Sequence, residues 1–159
     1  MIYKGDNYSD AGGELLLAIG NTVVLQDVEG RIRNDLTTRQ LSVEGETTKV
    51  LIKYLAAAQV GLEFEQIQNL IFGSQIYLLK KLNEVTGQGQ VPALVEAHFA
   101  HVQSMFADSF ADWSLEKYLY FLFERNLIVH QDGRYHITNL GKEYLVWMAR
   151  TGRAENKAL

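Results

Sequence analysis

The chain of 159 residues has no cysteine, one proline and no long apolar segment. The absence of cysteine excludes disulfide bonds and thiolate metal sites. The longest apolar run near the N-terminus, residues 15–19, is far shorter than the ~20 residues that a membrane-spanning helix needs. No basic segment precedes that run, so a signal peptide is not expected. We therefore predict a cytoplasmic protein that does not bind membranes.

A surplus of positive charge is also missing, since 15 basic and 19 acidic side chains give a net charge of −4. Basic side chains supply most of the non-specific affinity for nucleic acid, because they neutralise phosphate. Charge is uneven along the chain: residues 114–159 carry seven basic and five acidic side chains, whereas residues 61–113 carry two and six. The C-terminal segment is therefore where an anionic partner is best tolerated.

Apolar residues, in contrast, are plentiful and make up 47% of the chain. This content is ordinary for a globular protein, and a chain of this length can bury about 70% of its unfolded surface. We predict one compact domain over residues 1–159, whose core needs no metal or disulfide.

The first 46 residues have the pattern of β-structure. Short leucine and β-branched runs are interrupted by three glycine-containing pairs, which are Gly20-Asn21, Glu29-Gly30 and Glu44-Gly45. Because glycine adopts positive φ without steric cost, such pairs are typical of turns. We expect a small antiparallel β-meander of three or four short strands over 1–46.

The pattern becomes helical from Thr47. Apolar residues recur at helical spacing as far as Gly61, which is expected to end the first helix. A short helix over 63–72 follows, and then Ser74 is a suitable N-cap for a helix over 75–85. Residues 47–86 together form a segment that is like a helix-turn-helix.

A flexible joint over 86–90 separates this segment from a second group of elements over 91–151. Pro92 suits the first turn of a helix over 92–109, where its missing N–H is no loss. Asp112 or Ser114 is expected to cap the helix that follows.

A β-hairpin and a last helix complete the chain. Asp132-Gly133 predicts a type I′ turn, in which Val129 pairs with His136. Thr138 is expected to cap the final helix. Since strands and helices do not alternate, the fold class is α+β: an N-terminal β-meander, then a helical bundle with a C-terminal hairpin and final helix.

Residues 127–145, LIVHQDGRYHITNLGKEYL, resemble the wing region of winged helix-turn-helix proteins. In that superfamily the third helix is followed by a strand, a wing turn, and a strand that ends in Thr before a helix with Gly three residues on. Thr138, Gly141 and Leu145 occupy these positions. Residues 64–84 are similar to the second and third helices of a helix-turn-helix. The chain then contains either two incomplete winged-helix units or one unit with an inserted helix.

The resemblance implies DNA binding, with a recognition helix in the major groove and the wing against phosphate. One candidate is the helix over 75–84, because glutamine can read adenine and lysine can contact guanine or phosphate; its expected solvent face comprises Gln75, Tyr77, Lys80 and Lys81. The helix over 115–126 competes for this role, but Glu116 and Glu124 would repel the DNA backbone. Phosphate contacts are expected from Arg134, Lys142 and Arg150. The alternative is an ordinary amphipathic helix pair that binds nothing.

Aromatic residues are concentrated in the C-terminal part of the chain. A single helix cannot bury Tyr118, Tyr120, Phe121 and Phe123 on one face, because they point in nearly all directions. We expect a dimer or partner interface here, and its candidate residues are Tyr120, Phe121, Tyr144, Trp147 and Met148. The alternative is that the helix over 92–109 or the N-terminal sheet covers the aromatic side chains.

No catalytic constellation is apparent, so neither an enzyme nor a cofactor is predicted. His98 and His101 lie at i, i+3 on a predicted helix and could present two imidazoles to one metal ion. No companion ligand motif accompanies them, and two partly exposed histidines beside Phe99 and Val102 are the favoured interpretation. We therefore predict no metal site.

The sequence as a whole predicts a winged-helix DNA-binding protein, a transcriptional regulator that acts as a homodimer. The alternative is a winged-helix-like protein–protein interaction module that does not bind DNA. The acidic balance and the aromatic helix favour this alternative.

Overall fold

The computed structural model describes residues 7–153, 157 and 159. Across these residues the chain forms eight helices and one two-stranded antiparallel hairpin. The elements are α1 (Asn7–Ile19), α2 (Val23–Thr38), α3 (Glu46–Leu70), α4 (Gly73–Glu84), α5 (Pro92–Met105), α6 (Ala107–Phe110), α7 (Leu115–Glu124), β1 (Ile128–Gln131), β2 (Arg134–Ile137) and α8 (Asn139–Thr151). None of the described helices is both long enough and apolar enough to cross a bilayer.

Contacts divide the chain into two compact units, an N-terminal unit (Met1–Glu65) and a C-terminal unit (Gln66–Leu159). Helix α3 contributes residues to both units. This division does not test the expectation of one compact domain over residues 1–159, which stays a prediction.

The predicted α+β class with an N-terminal β-meander is wrong, because the chain is mostly helical. From residue 7 onward, α1, α2 and the start of α3 occupy the segment in which strands were expected, and residues 1–6 lie outside the described part. Gly20, with φ +90°, directly follows the last residue of α1, and Gly45, with φ +97°, directly precedes α3. A helix end and a hairpin turn both favour glycine at positive φ, so the residue type alone does not distinguish them.

Helix α2 begins directly after an N-cap residue, Thr22. This helix-start signal was overlooked because residues 1–46 have a strand-like pattern. The Thr22 hydroxyl accepts a hydrogen bond from the Leu25 N–H at 3.2 Å, which is the N-cap arrangement. Leu25 and Val28 of α2 are buried together with Ala56 of α3 in a small core. The N-terminal unit is thus a group of helices packed through a few aliphatic side chains.

The predicted end of a helix at Gly61 is also wrong, because α3 continues without a break to Leu70. A glycine inside a helix costs about 1 kcal/mol relative to alanine. Beyond it, Phe64 and Ile67 are almost completely buried, and burial of each side chain contributes about 1.5–3 kcal/mol. Packing therefore outweighs the intrinsic preference of the glycine.

Helix α4 lies at the centre of the C-terminal unit, where it contacts α5, β2 and α8. Its N-cap is Phe72, and the predicted cap Ser74 is instead part of the first turn. The Gln75 side chain performs the capping role, since its Oε1 accepts a hydrogen bond from the Phe72 N–H at 3.0 Å. Ile76, Leu79 and Leu82 are buried along its inner face.

The hairpin has the predicted register, with Val129 paired with His136. Asp132 and Gly133 both have positive φ, at 51° and 72°, as a type I′ turn requires. The joint over 86–90, which was expected to be flexible, is anchored to this hairpin: Gln90 and Tyr135 exchange two backbone hydrogen bonds of 2.8 and 2.9 Å. Strand β2 therefore pairs with β1 on one side and with Gln90 on the other.

The remaining helices follow the sequence signals closely, with one exception. The helix predicted over 92–109 ends at Met105, and a separate short helix α6 follows it. Ser114 caps α7 by accepting from the Lys117 N–H at 3.1 Å. Thr138 caps α8 by accepting from the Gly141 N–H at 3.0 Å, so both of these predicted caps are confirmed.

Candidate functional site

The DNA-reading surface predicted on α4 is smaller than expected, because Gln75 is buried and does not face solvent. Both ends of its amide are hydrogen-bonded: Oε1 accepts from the Phe72 N–H, and Nε2 donates to the Tyr118 carbonyl oxygen at 2.8 Å. The apolar stripe of α4 is wide enough to include this position, and a buried amide persists only when it is hydrogen-bonded. The expectation that Gln75 faces solvent is therefore wrong.

Tyr77 and Lys81 do lie on the exposed face of α4, and Lys80 is half-buried. The Lys81 ammonium lies 3.1 Å from a Glu84 carboxylate oxygen and 5.5 Å from the centre of the Tyr77 ring. Tyr77 in turn stacks on the His98 imidazole, with 5.8 Å between ring centres. The charge of Lys81 is thus offset by its neighbour, so this face attracts phosphate only weakly.

The three cations expected to contact phosphate lie on β2 and α8. Arg134 is exposed at the start of β2, and its Nη1 donates to the Gly89 carbonyl oxygen at 3.3 Å. Lys142 is half-buried near the start of α8, whereas Arg150 is exposed near its end. The sequence of the C-terminal unit contains nine basic and nine acidic side chains, so the unit is neutral.

Two of the predicted interface residues are core residues instead. Tyr144 and Met148 are buried, because the apolar face of α8 packs against α4. The Tyr144 hydroxyl donates to Gln68 Oε1 at 2.5 Å, and burial raises its pKa above the ordinary value. Trp147 is half-buried and stacks on Tyr144 with 5.9 Å between ring centres. These three residues therefore do not form an exposed stripe on α8.

Tyr120 and Phe121, the other predicted interface residues, line an open apolar pocket of about 330 Å³. We call it the aromatic pocket, and its walls are Leu70, Phe72, Gln75, Trp113, Lys117, Tyr120 and Phe121. Tyr120 is 62% exposed on α7, and Leu70 is 57% exposed at the end of α3. The pocket therefore presents large apolar side chains to solvent within a concave surface, which is the usual form of a binding site.

Aromatic packing behind the pocket holds its walls in place. Phe110 lies edge-on to both Phe72 and Trp113, at 5.3 and 5.1 Å between ring centres. The Gln103 amide donates to the carbonyl oxygens of Phe110 and Trp113, each at 3.1 Å, and so fixes the chain before α7. Edge-to-face pairs of this kind contribute about 0.5–1.5 kcal/mol beyond their burial. The pocket is consequently preformed.

A single cation stands among the pocket's wall residues. The Lys117 ammonium lies 4.3 Å from the centre of the Trp113 ring, within the range of a cation–π interaction. Among the described residues, no acidic side chain lines the pocket. A ligand that places an apolar group in the pocket and a carboxylate beside Lys117 is therefore favoured by charge.

A partly buried polar network joins Ser74, His98 and Tyr118. The Tyr118 hydroxyl donates to Ser74 Oγ at 2.9 Å, and His98 Nε2 lies 3.1 Å from the Ser74 carbonyl oxygen and 3.2 Å from the Tyr118 hydroxyl. Burial lowers the pKa of His98, while the hydrogen bond to Ser74 partly opposes this change. Burial raises the pKa of the Tyr118 phenol. The network links α4, α5 and α7 by neutral groups.

The free energy of unfolding is expected to fall in acid because of His98. Its folded-state pKa lies below 6.5, so the unfolded chain binds a proton first as the pH falls through that value. The stabilising contribution is complete above about pH 6.5 and is lost on acidification, by at most about 1.4 kcal/mol per pH unit. Urea unfolding between about pH 7.5 and pH 5 measures this slope.

His98→Gln is expected to flatten that pH dependence. His101→Gln, at an exposed position on the same helix, is the matched control: it removes only the smallest of the three influences on the pKa of His98, so most of the pH dependence should remain. Equal slopes in the wild-type chain and in His98→Gln would show that His98 does not cause the acid sensitivity.

Among the described residues no group of three or more metal-ligating side chains comes together, so His98 and His101 gain no further ligand there.

Sequence reasoning missed Leu70, Phe72 and Lys117 as parts of a binding site. Leu70 and Phe72 flank the α3–α4 turn, and their position beside α7 depends on tertiary packing. A local signal did exist at the start of α7, where Trp113 directly precedes the N-cap Ser114. Lys117 and Tyr120 follow within the helix, and their spacing of three residues places these two side chains on one helical face.

The chain shows no significant match to a protein-family model, a curated protein or a solved structure.

Proposed function

We propose that this protein is a protein-interaction module whose aromatic pocket binds a short segment of a partner protein. The observation that carries the proposal is the preformed, open apolar pocket with one cation among its walls. Exposed aromatic side chains gathered in a concave surface are the usual anchor points of protein interfaces. At about 330 Å³, the pocket is at the small end of ligand sites, which suits a few side chains of a peptide.

The order of elements supports a winged-helix-like arrangement of residues 73–151 as the scaffold. Helix α4, the Gln90 bridge, α5, α7, the hairpin and α8 follow one another in that order. The resemblance of residues 127–145 to a wing makes α7, the helix before the hairpin, the equivalent of the recognition helix. We propose α7 in this role in place of α4, and one winged-helix-like unit in place of two.

The exposed face of α7 suits a protein segment better than DNA. Tyr120 and Phe123 are exposed, and two carboxylates, Glu116 and Glu124, lie on the same helix. Carboxylates repel the phosphate backbone, and only Lys117 among the exposed residues of α7 carries a positive charge. The ligand we propose is a segment with a bulky apolar side chain directly followed by an acidic residue. The protein is expected to act in the cytoplasm and to catalyse no reaction.

Short fluorescein-labelled peptides with a central leucine, phenylalanine or tryptophan followed by glutamate are expected to bind, as measured by fluorescence anisotropy. Tyr120→Ala should weaken binding by at least about tenfold, because truncation of a central aromatic anchor typically costs 2 kcal/mol or more. Lys117→Gln should weaken binding less, and only for peptides that carry glutamate. The matched control is Tyr77→Ala, since Tyr77 is 54% exposed on α4 and lies outside the pocket.

Equal affinities for wild type, Tyr120→Ala and Tyr77→Ala would contradict the proposal. It would also be contradicted if none of the peptides bound.

DNA binding is the second candidate, favoured by the wing-like hairpin with Arg134 exposed at its turn. A labelled mixed-sequence duplex titrated at ~50 and ~200 mM salt tests it, because affinity through phosphate contacts falls steeply over this range. Salt-sensitive duplex binding that Arg134→Ala weakens and Tyr120→Ala leaves unchanged would favour a DNA-binding regulator.

A further inference from the structure

One face of α3 in the N-terminal unit carries a row of exposed apolar side chains. Leu51 is 62% exposed, Leu55 is 50% exposed and Leu62 is 61% exposed, and Ala58 lies exposed between the last two. We call these four residues the α3 stripe. Their successive spacings of four, three and four residues are those of the apolar positions in a heptad repeat. Such a seam is complementary to a second helix with the same spacing.

The extent of the α3 stripe is comparable with that of a small interface. With the neighbouring Tyr54, which is 50% exposed, the stripe exposes roughly 400 Å² of apolar surface, which is in the range of patches that are functional on monomers. Two such patches, with their polar rims, bury about the 1,000 Å² that a specific interface requires. A symmetric pair of α3 helices therefore reaches the required area when the polar rim of each stripe is buried together with its apolar side chains.

Charges beside the stripe favour one direction of pairing. Lys49 lies at its N-terminal end, where it is ion-paired with Glu46 at 3.0 Å, and Glu63 and Glu65 lie at its C-terminal end. Antiparallel pairing brings the acidic end of one helix to the neutral end of the other, whereas parallel pairing brings the carboxylates of the two acidic ends together. Charge therefore favours the antiparallel pair of two copies.

We propose that the α3 stripe is a dimer interface, in which two copies of this chain pair their α3 helices antiparallel about a two-fold axis. The axis passes between Leu55 and Ala58. Leu51 of each copy then faces Leu62 of the other, and Leu55 faces Ala58. Lys49 approaches Glu63 and Glu65 of the second copy. This surface differs from the α7–α8 interface expected from the sequence, and it does not depend on the aromatic pocket.

Cysteine cross-linking tests the pairing directly, because the chain has no cysteine of its own. The double variant Leu51→Cys/Leu62→Cys is expected to form a disulfide-linked dimer under mild oxidation. Within one helix these two positions are roughly 16 Å apart, too far for an internal disulfide. Either single variant alone should stay monomeric on a non-reducing gel, because in an antiparallel pair each cysteine faces a leucine.

The outcomes separate the arrangements. Covalent dimers from the double variant only support the antiparallel pair. Covalent dimers from each single variant indicate parallel pairing and overturn the proposed arrangement. No covalent dimer from the double variant, with its circular dichroism spectrum unchanged, overturns the α3 interface itself.

Sedimentation equilibrium provides a second measurement that needs no cysteine. The wild-type chain is expected to show a concentration-dependent dimer, and Leu55→Lys/Leu62→Lys should weaken its association by at least about 100-fold. The control is Leu94→Lys, at a similarly exposed leucine on α5, which should leave the dimer intact. A wild-type monomer at all concentrations, or equal weakening by Leu94→Lys, overturns the proposal.

Discussion

Replacing Gly141 by alanine is expected to lower the free energy of unfolding of the C-terminal unit by about 3 kcal/mol. A Cβ atom at this position in α8 would clash with the Leu127 carbonyl oxygen and lie 2.7 Å from Ile137 Cγ1. The Leu127 oxygen is held in place, since it accepts hydrogen bonds from the N–H and the hydroxyl of Thr138. The clash is therefore with fixed backbone and cannot be relieved by a side-chain rotation.

Gly61→Ala provides the matched control, because it is the same substitution in an open position inside α3. It is expected to raise the free energy of unfolding by about 0.5–1 kcal/mol, as alanine is the better helix former. Tryptophan fluorescence reports on the C-terminal unit, which contains both tryptophans, Trp113 and Trp147. Circular dichroism in urea follows the whole chain. A Gly141→Ala variant as stable as wild type would show that α8 does not approach the β1–β2 region this closely.

Replacing Gln75 by methionine is expected to cost about 2–3 kcal/mol of stability, because it removes a buried hydrogen-bonding group without changing the side-chain volume greatly. The Phe72 N–H donates to Gln75 Oε1, and the Tyr118 carbonyl oxygen accepts from Nε2. Methionine satisfies neither, and a buried donor without a partner keeps its full desolvation cost. Urea unfolding followed by tryptophan fluorescence measures the difference.

Gln66→Met is the control for this substitution, since Gln66 is exposed on α3 and belongs to the same unit, and such surface changes stay within about 0.5 kcal/mol. Gln75 also joins Phe72, a wall residue of the aromatic pocket, to Tyr118 of α7, the helix that carries the wall residues Tyr120 and Phe121. Peptide affinity of the folded Gln75→Met variant is therefore expected to fall as well. Equal stabilities of Gln75→Met and Gln66→Met would mean that the amide does not hold these elements together.

Local signals in the sequence predicted the C-terminal hairpin and the helix starts around it. The type I′ turn at Asp132-Gly133 and the caps at Ser114 and Thr138 were confirmed. In each case the stabilising group lies within a few residues of the backbone that it stabilises. Such features are readable from sequence because they require no knowledge of distant partners.

The N-terminal prediction failed for a related reason. Gly20 and Gly45 correctly marked positions with positive φ, but a helix boundary and a hairpin turn impose the same requirement there. The turn predicted at Glu29-Gly30 is wrong, because both residues lie inside α2. Short leucine runs are compatible with either a strand or a buried helix face. Long-range packing determines that helices form here, since it buries Leu25 and Val28 of α2 against Ala56 of α3.

The candidate site shows the same division between local and tertiary information. The sequence by itself determined that α7 carries more aromatic side chains than one face can bury, because helical periodicity fixes their directions. Only the tertiary structure decided which of the candidates remain exposed: α8 packs on α4 and buries Tyr144 and Met148, whereas Tyr120 stays open to solvent. Burial depends on which surfaces meet, and residues distant in sequence, such as Leu70 and Phe72, complete the pocket.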